Sequence, residues 1–155
     1  MPGTIDARLT ELGINLPVSA SPVANYVMSA TVGRLVHLAG HGPRQADGTL
    51  VKGRLGEDMA VEDGAQAACL VGLGLLATLR DACGGDLDRV GRCIRLYGLI
   101  RCTPEFTAHA TVMNGASDLM AEVFGDAGLH ARTTIGARAL PSGIAVEIEG
   151  LFELR

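Results

Sequence analysis

A chain of 155 residues, 48% hydrophobic and 19% charged, is long enough to bury a core as one domain and too apolar to be disordered. Its net charge of -4, with two Tyr, three Phe and no Trp, supplies neither a basic footprint nor a stacking platform for nucleic acid. The four cysteines, Cys69, Cys83, Cys93 and Cys102, form no CxxC pair and have no histidine at ligand spacing, so they read as buried free thiols and no metal is expected. The opening residues lack a signal-peptide pattern, and the apolar run 65–79 is too short to span a bilayer, which predicts a cytoplasmic protein without a membrane partner.

Residues 4–12 fit a short amphipathic helix with Thr4 as N-cap and Gly13 and Pro17 beyond its end, so that 4–17 form an N-terminal extension of the single domain 1–155. Residues 26–31 and 35–39 read as strands around Val32-Gly33-Arg34. Gly40-His41-Gly42-Pro43 ends the second strand, where His41 is expected to be exposed and without a catalytic role. The clearest helix is 61–83. Its Ala65, Ala68, Cys69, Gly72, Leu75, Leu76, Leu79 and Cys83 recur at threes and fours, and Gly84-Gly85 terminates it.

Along 90–102, a long strand, Ile94, Leu96, Gly98, Ile100 and Cys102 face one way and Arg95, Tyr97, Leu99 and Arg101 the other. A second helix ends at Phe124, beginning at Pro104 or Ala116. The remainder reads as a hairpin turning at Leu140-Pro141-Ser142-Gly143. Its second strand sets Ile144, Val146, Ile148, Phe152 and Leu154 against Glu147, Glu149, Leu151 and Glu153. A turn centred on Pro141-Ser142 puts Arg132 opposite Leu151 and Glu147 opposite Gly136. Both then project from one face, about 13 Å apart, too far for a direct ion pair.

The order β-β-α-β-α-β-β predicts an α+β domain, a mixed sheet with two helices on one face. The other face, with Leu99 and Leu151 among Arg95, Arg101, Arg132, Glu147 and Glu149, suits a subunit interface and predicts an oligomer.

The segments Ala131-Arg132-Thr133-Thr134-Ile135, Leu140-Pro141 and Val146-Glu147-Ile148-Glu149 resemble the RidA family, also called YjgF or endoribonuclease L-PSP. Pro22 to Tyr26, Ala39-Gly40-His41-Gly42-Pro43 and Leu87-Asp88-Arg89-Val90 agree with it. The wording around Leu12 to Pro17, Asn114 to Asp118 and Phe124-Gly125 looks like a longer branch, distinct from the best-known deaminases.

The resemblance implies a chorismate-mutase-like fold and a homotrimer with clefts between subunits. The implied activity is hydrolysis of reactive enamines and imines, such as 2-aminoacrylate and 2-iminopropionate, to keto acid and ammonia, with no metal or organic cofactor. Arg132 then matches the arginine that grips the substrate carboxylate, and Glu147 the acid associated with the hydrolytic water. Tyr26 matches a tyrosine that closes the cleft from a neighbouring chain. Ser117 is nearest to an asparagine that relatives present from the second helix, and Thr134 stands where many have cysteine. Glu149 competes with Glu147 for the acid's role. Two other functions stay open: a non-catalytic protein that binds a small carboxylate or keto acid, and, less favoured by the acidic composition, an endoribonuclease or translation inhibitor.

Overall fold

The strand with the most regular apolar alternation takes the middle of the sheet. In β5 (Val146–Leu154), Val146, Ile148, Phe152 and Leu154 are buried on one face and Glu147, Glu149, Leu151 and Glu153 lie on the other, as the alternation predicts. The structure, a computed structural model describing residues 3–155, arranges five strands in the order β1-β2-β5-β3-β4. These are β1 (Ser29–Val32), β2 (Leu35–His41), β3 (Val90–Arg101), β4 (Ala131–Ala137) and β5. β5 runs antiparallel to β2 and β3, while β4 is an edge strand parallel to β3. Two long helices, α2 (Val61–Ala82) and α3 (His109–Phe124), cover one face and form the core with Phe152, Leu75, Leu96, Ile100 and Met113. This is the expected mixed α+β architecture.

Small residues set how closely the helices approach. A Cβ on Gly115 of α3 would lie 2.8 Å from the Ala65 carbonyl carbon of α2, and one on Gly72 would meet Leu119 at 2.8 Å. By length and hydropathy α2 qualifies as a membrane span, but Ala68, Val71, Leu75, Leu76 and Leu79 are fully buried in this core.

Several expectations are corrected. The last two strands do not form a hairpin: β3 lies between β4 and β5, pairing with both. A two-residue hairpin favours a type I′ or II′ turn, and Pro141, locked at negative φ, cannot supply the positive φ at its first central position. The segment Pro141–Gly143 forms a 3-10 turn with Ser142 at φ 57, and the Gly143 carbonyl accepts from Gly53 N and Arg101 Nη1. β5 thus enters beside β3, where its apolar face joins the core, and the polar β4 is left at the edge.

The first strand starts at Ser29 rather than Tyr26, because Tyr26 N–H turns back to Ala24 O at 3.0 Å. In β3 a register shift between Cys93 and Arg95 makes Cys93, not Ile94, the buried residue before Leu96. α3 begins at His109, after a turn in which Phe106 N–H reaches Thr103 O. Finally, α1 (Thr4–Glu11) is not capped by Thr4: Asp88, far along the chain, accepts from Thr4 N and Ile5 N at 2.7 and 2.8 Å.

A candidate active site in two halves

Glu147 rises from the open face of β5 beside the end of β2. There the β2–β5 register shifts between Leu38 and His41, so that Ala39 and Gly40 bulge over the carboxylate. A Cβ on Gly40 would lie 3.0 Å from Glu147 Cδ and 3.1 Å from Cγ, so the acid is seated directly on a backbone that only glycine leaves bare. Among the described residues Glu147 accepts no hydrogen bond and forms no ion pair. Burial, then the neighbouring Glu149 charge, push its carboxyl above the usual range. The acid faces a cavity of about 430 Å3 whose lining includes Tyr26, Gly40, Arg44, Ser142 and Ile144. Its wall on one side is the irregular segment 17–28, which carries Tyr26; the Tyr26 hydroxyl accepts from Val23 N–H at 3.5 Å.

His41 lies under this cavity and is 3% exposed, contrary to the expected exposed loop histidine. Its Nδ1 is 2.6 Å from Ala39 O, which can only accept, so Nδ1 carries the proton. Burial lowers the pKa of the ring, partly offset by that carbonyl, and the neutral Nε2 accepts from the Thr78 hydroxyl at 2.7 Å. His41 is thereby a strut between α2 and the bulge that holds Gly40 against Glu147.

Arg132 belongs to a second half. It pairs with Leu96 across β3–β4, which places it on the helix-covered face of the sheet, whereas Glu147 pairs with Leu99 on the open face. The two charges expected on one face therefore stand on opposite faces. Two inter-strand steps and three residues of register separate their backbones, on the order of 14 Å. Arg132 Nη1 donates to Asn114 Oδ1 at 2.8 Å and to Ser117 Oγ at 3.0 Å, and Nη2 to Ala110 O at 3.4 Å, all on α3. Every partner is neutral, so the guanidinium keeps its full charge for another group. Thr134, two residues along the same face, has a buried Oγ1 without a partner.

Ser117 thus holds Arg132, Thr134 lies two residues along the same strand, and Tyr26 lines the cavity with Glu147; within the chain the two groups stand apart. Glu149, the competing acid, lines a separate open-face pocket with His37 and Arg95. Asn114, His130 and Gly40 were not singled out from sequence. His130 alternates with Arg132 and Thr134, the one pattern that pointed to it, and Asn114 sits one helical turn before Ser117.

The comparisons with known proteins agree with this fold. Protein TCP17 of Trypanosoma cruzi is 40% identical over 98% of this chain and 95% of its own length. The structure of Atu1372 from Agrobacterium tumefaciens, a protein of unknown function, is 39% identical with a TM-score of 0.90, covering 97% of this chain and 92% of that one. A "putative endoribonuclease" from Shewanella oneidensis is 33% identical with a TM-score of 0.93, covering 98% and 100%. The YjgF gene product of E. coli, 20% identical over 88% and 94% with a TM-score of 0.62, shares the fold alone. A family model described as "YjgF/chorismate mutase-like, putative endoribonuclease" matches residues 6–148, and this chain belongs to that family, the one that includes RidA.

Proposed function

We propose that this protein is a cytoplasmic enamine/imine deaminase, hydrolysing 2-iminopropionate-type intermediates in clefts between the subunits of a homotrimer. The observation that carries this reading is the division of charge. Arg132 is a cation with only neutral neighbours on the helix-covered side, and Glu147 is a half-buried, unpartnered acid on the open side. Because Arg132 and Glu147 stand on opposite faces of the sheet, a head-to-tail ring, in which one face of each chain meets a different face of the next, brings one chain's Arg132 to the next chain's Glu147. The open face, with Tyr97, Leu99 and Leu151 among charged residues, supplies apolar area for such an interface.

In that cleft Arg132 holds the substrate carboxylate, which fixes the imine carbon in front of Glu147. A water attacks that carbon and gives a proton to the Glu147 carboxylate while the imine nitrogen takes one up from solvent. The carbinolamine then collapses: its hydroxyl proton is lost to solvent, ammonia departs with the proton returned by Glu147, and the keto acid is left. An enamine enters the sequence after tautomerising to the imine. The substrate is already electrophilic, so positioning and one acid–base group suffice.

The test is the rate of imine loss when an amino-acid oxidase generates imines from several amino acids. Purified protein should accelerate it, and Arg132→Ala and Glu147→Gln should each abolish the acceleration. If calorimetry shows pyruvate binding that depends on Arg132 with no acceleration of any imine, the protein is a carboxylate-binding module. RNA cleavage by nuclease-free protein that disappears in Arg132→Ala would overturn the reading altogether.

A further inference from the structure

The Arg132 clamp is built on a relay that ends at His130. His130 Nδ1 lies 2.6 Å from Gly128 O and must donate to it, which leaves Nε2 to accept. Ser117 Oγ is 2.9 Å from that Nε2, so the serine proton points at the histidine and a serine lone pair is left facing Arg132 Nη1, 3.0 Å away. The far end is equally fixed. A Cβ on Gly128 would come within 2.9 Å of Ala121 N and closer still to the Met120 carbonyl, so the Gly128 backbone is seated on α3 itself. The path Gly128–His130–Ser117–Arg132 therefore runs from a backbone packed against α3, through Ser117 of α3, to the guanidinium carried by β4.

Its effect on the guanidinium is directional. Asn114 and Ser117 take both Nη1 hydrogens, and Ala110 O takes one from Nη2. Nε has no partner among the described residues, and Nη2 has only the long contact to Ala110 O. On that side of a guanidinium an Nε–H and an Nη2–H run parallel and match the two oxygens of a carboxylate. We propose that His130 is a positioning residue of this clamp: by orienting the Ser117 hydroxyl it commits the Nη1 edge of Arg132 to the protein and leaves the Nε/Nη2 edge for a carboxylate ligand. The inference rests on the clamp reading of Arg132 above and adds the residue that aims it.

The experiment measures pyruvate and methyl pyruvate binding, with steady-state imine hydrolysis, for wild type, Arg132→Ala, Ser117→Ala, His130→Ala, His130→Gln and the Ser117→Ala/His130→Ala double variant. His130→Ala should weaken pyruvate about tenfold and raise KM with kcat nearly kept, because the carboxylate is held alike in the ground and transition states. Methyl pyruvate, which lacks the carboxylate, should be unaffected. His130→Gln can donate to Gly128 O and accept from Ser117, and should recover most of the affinity. The double variant should be no worse than either single change, since both cut one path. If Arg132→Ala loses pyruvate while His130→Ala and Ser117→Ala, shown folded by thermal melts, bind it as wild type does, the relay is overturned and the clamp stands. If Arg132→Ala binds pyruvate unchanged, the clamp falls and the relay with it.

Discussion

Gly40→Ala separates the seating of Glu147 from the stability of the fold. An added methyl would lie 3.0 Å from Glu147 Cδ, 3.1 Å from Cγ and closer still to Oε1, where ordinary carbon contacts are about 3.5–4.0 Å. The acid must therefore retreat by about 0.5–1 Å. The obstructing atoms are the end of a flexible side chain, and Gly40 has no positive φ, so the backbone accepts alanine and stability should change by less than about 1 kcal/mol. Misplacing a reacting group by about 1 Å costs on the order of 100-fold, or about 2.7 kcal/mol of transition-state stabilisation. Gly115→Ala is the control, because its methyl meets the Ala65 backbone of α2 at 2.8 and 3.2 Å and the helices must part, at a cost of about 1–3 kcal/mol. Imine-hydrolysis rates and thermal melts of both variants should cross over: Gly40→Ala inactive and stable, Gly115→Ala destabilised and, where folded, active. Retention of kcat/KM within about threefold in Gly40→Ala, or a melt lowered as far as in Gly115→Ala, would refute the seating argument.

With Glu147 as the base, kcat/KM should rise with pH through the pKa of its carboxyl, which burial and the Glu149 charge raise and a neighbouring chain's Arg132 would lower, and Glu149→Gln should move that limb to lower pH by removing the like charge, as a pH–rate profile will show. The same raised pKa means that the protonated acid's contribution to stability is fully present below the unfolded-state pKa and is lost as pH rises through the folded one. Glu147→Gln should therefore melt higher than wild type at pH 8, with the advantage shrinking towards pH 4. Asp88 is held below the usual carboxylate range by the Ile5 and Thr4 amides, so its support of α1 is present above the unfolded-state pKa and lost as pH falls through the lowered one. Asp88→Ala should raise amide exchange in α1 at neutral pH while leaving exchange in β5 unchanged.

The helices and the faces of β5 were legible because burial imposes a period, and α2 repeats its apolar residues at threes and fours while β5 alternates strictly. Strand neighbours were not legible, because alternation says which face a residue takes and nothing about which strand lies beside it. Leu140-Pro141-Ser142-Gly143 has turn composition in either topology. The choice was made by the contrast between an apolar β5 and a polar β4, which puts β4 at the edge and β3 between them. With β3 between them, Arg132 turns to the helix-covered face and meets its partners on α3. His41 was misread for a similar reason: glycines on both sides signal a turn, whereas here they let the chain pass closely over Glu147 and Ile144 while the imidazole is buried on Thr78.

The separation of Arg132 from Glu147 has an energetic consequence for the isolated chain. Half-buried Glu147 has lost hydration without gaining a cation, and this burial, with the Glu149 charge, raises its pKa. Arg132 has likewise found only neutral acceptors. In a head-to-tail assembly the neighbour's guanidinium would draw the Glu147 pKa down, towards the ionised base that water activation needs. A carboxylate ligand seated on that guanidinium would neutralise it and push the pKa back up, towards the acid that must return a proton to departing ammonia. Subunit contact, ligand binding and the protonation of Glu147 are then one linked equilibrium, which a chain that paired its own arginine with its own glutamate would not have.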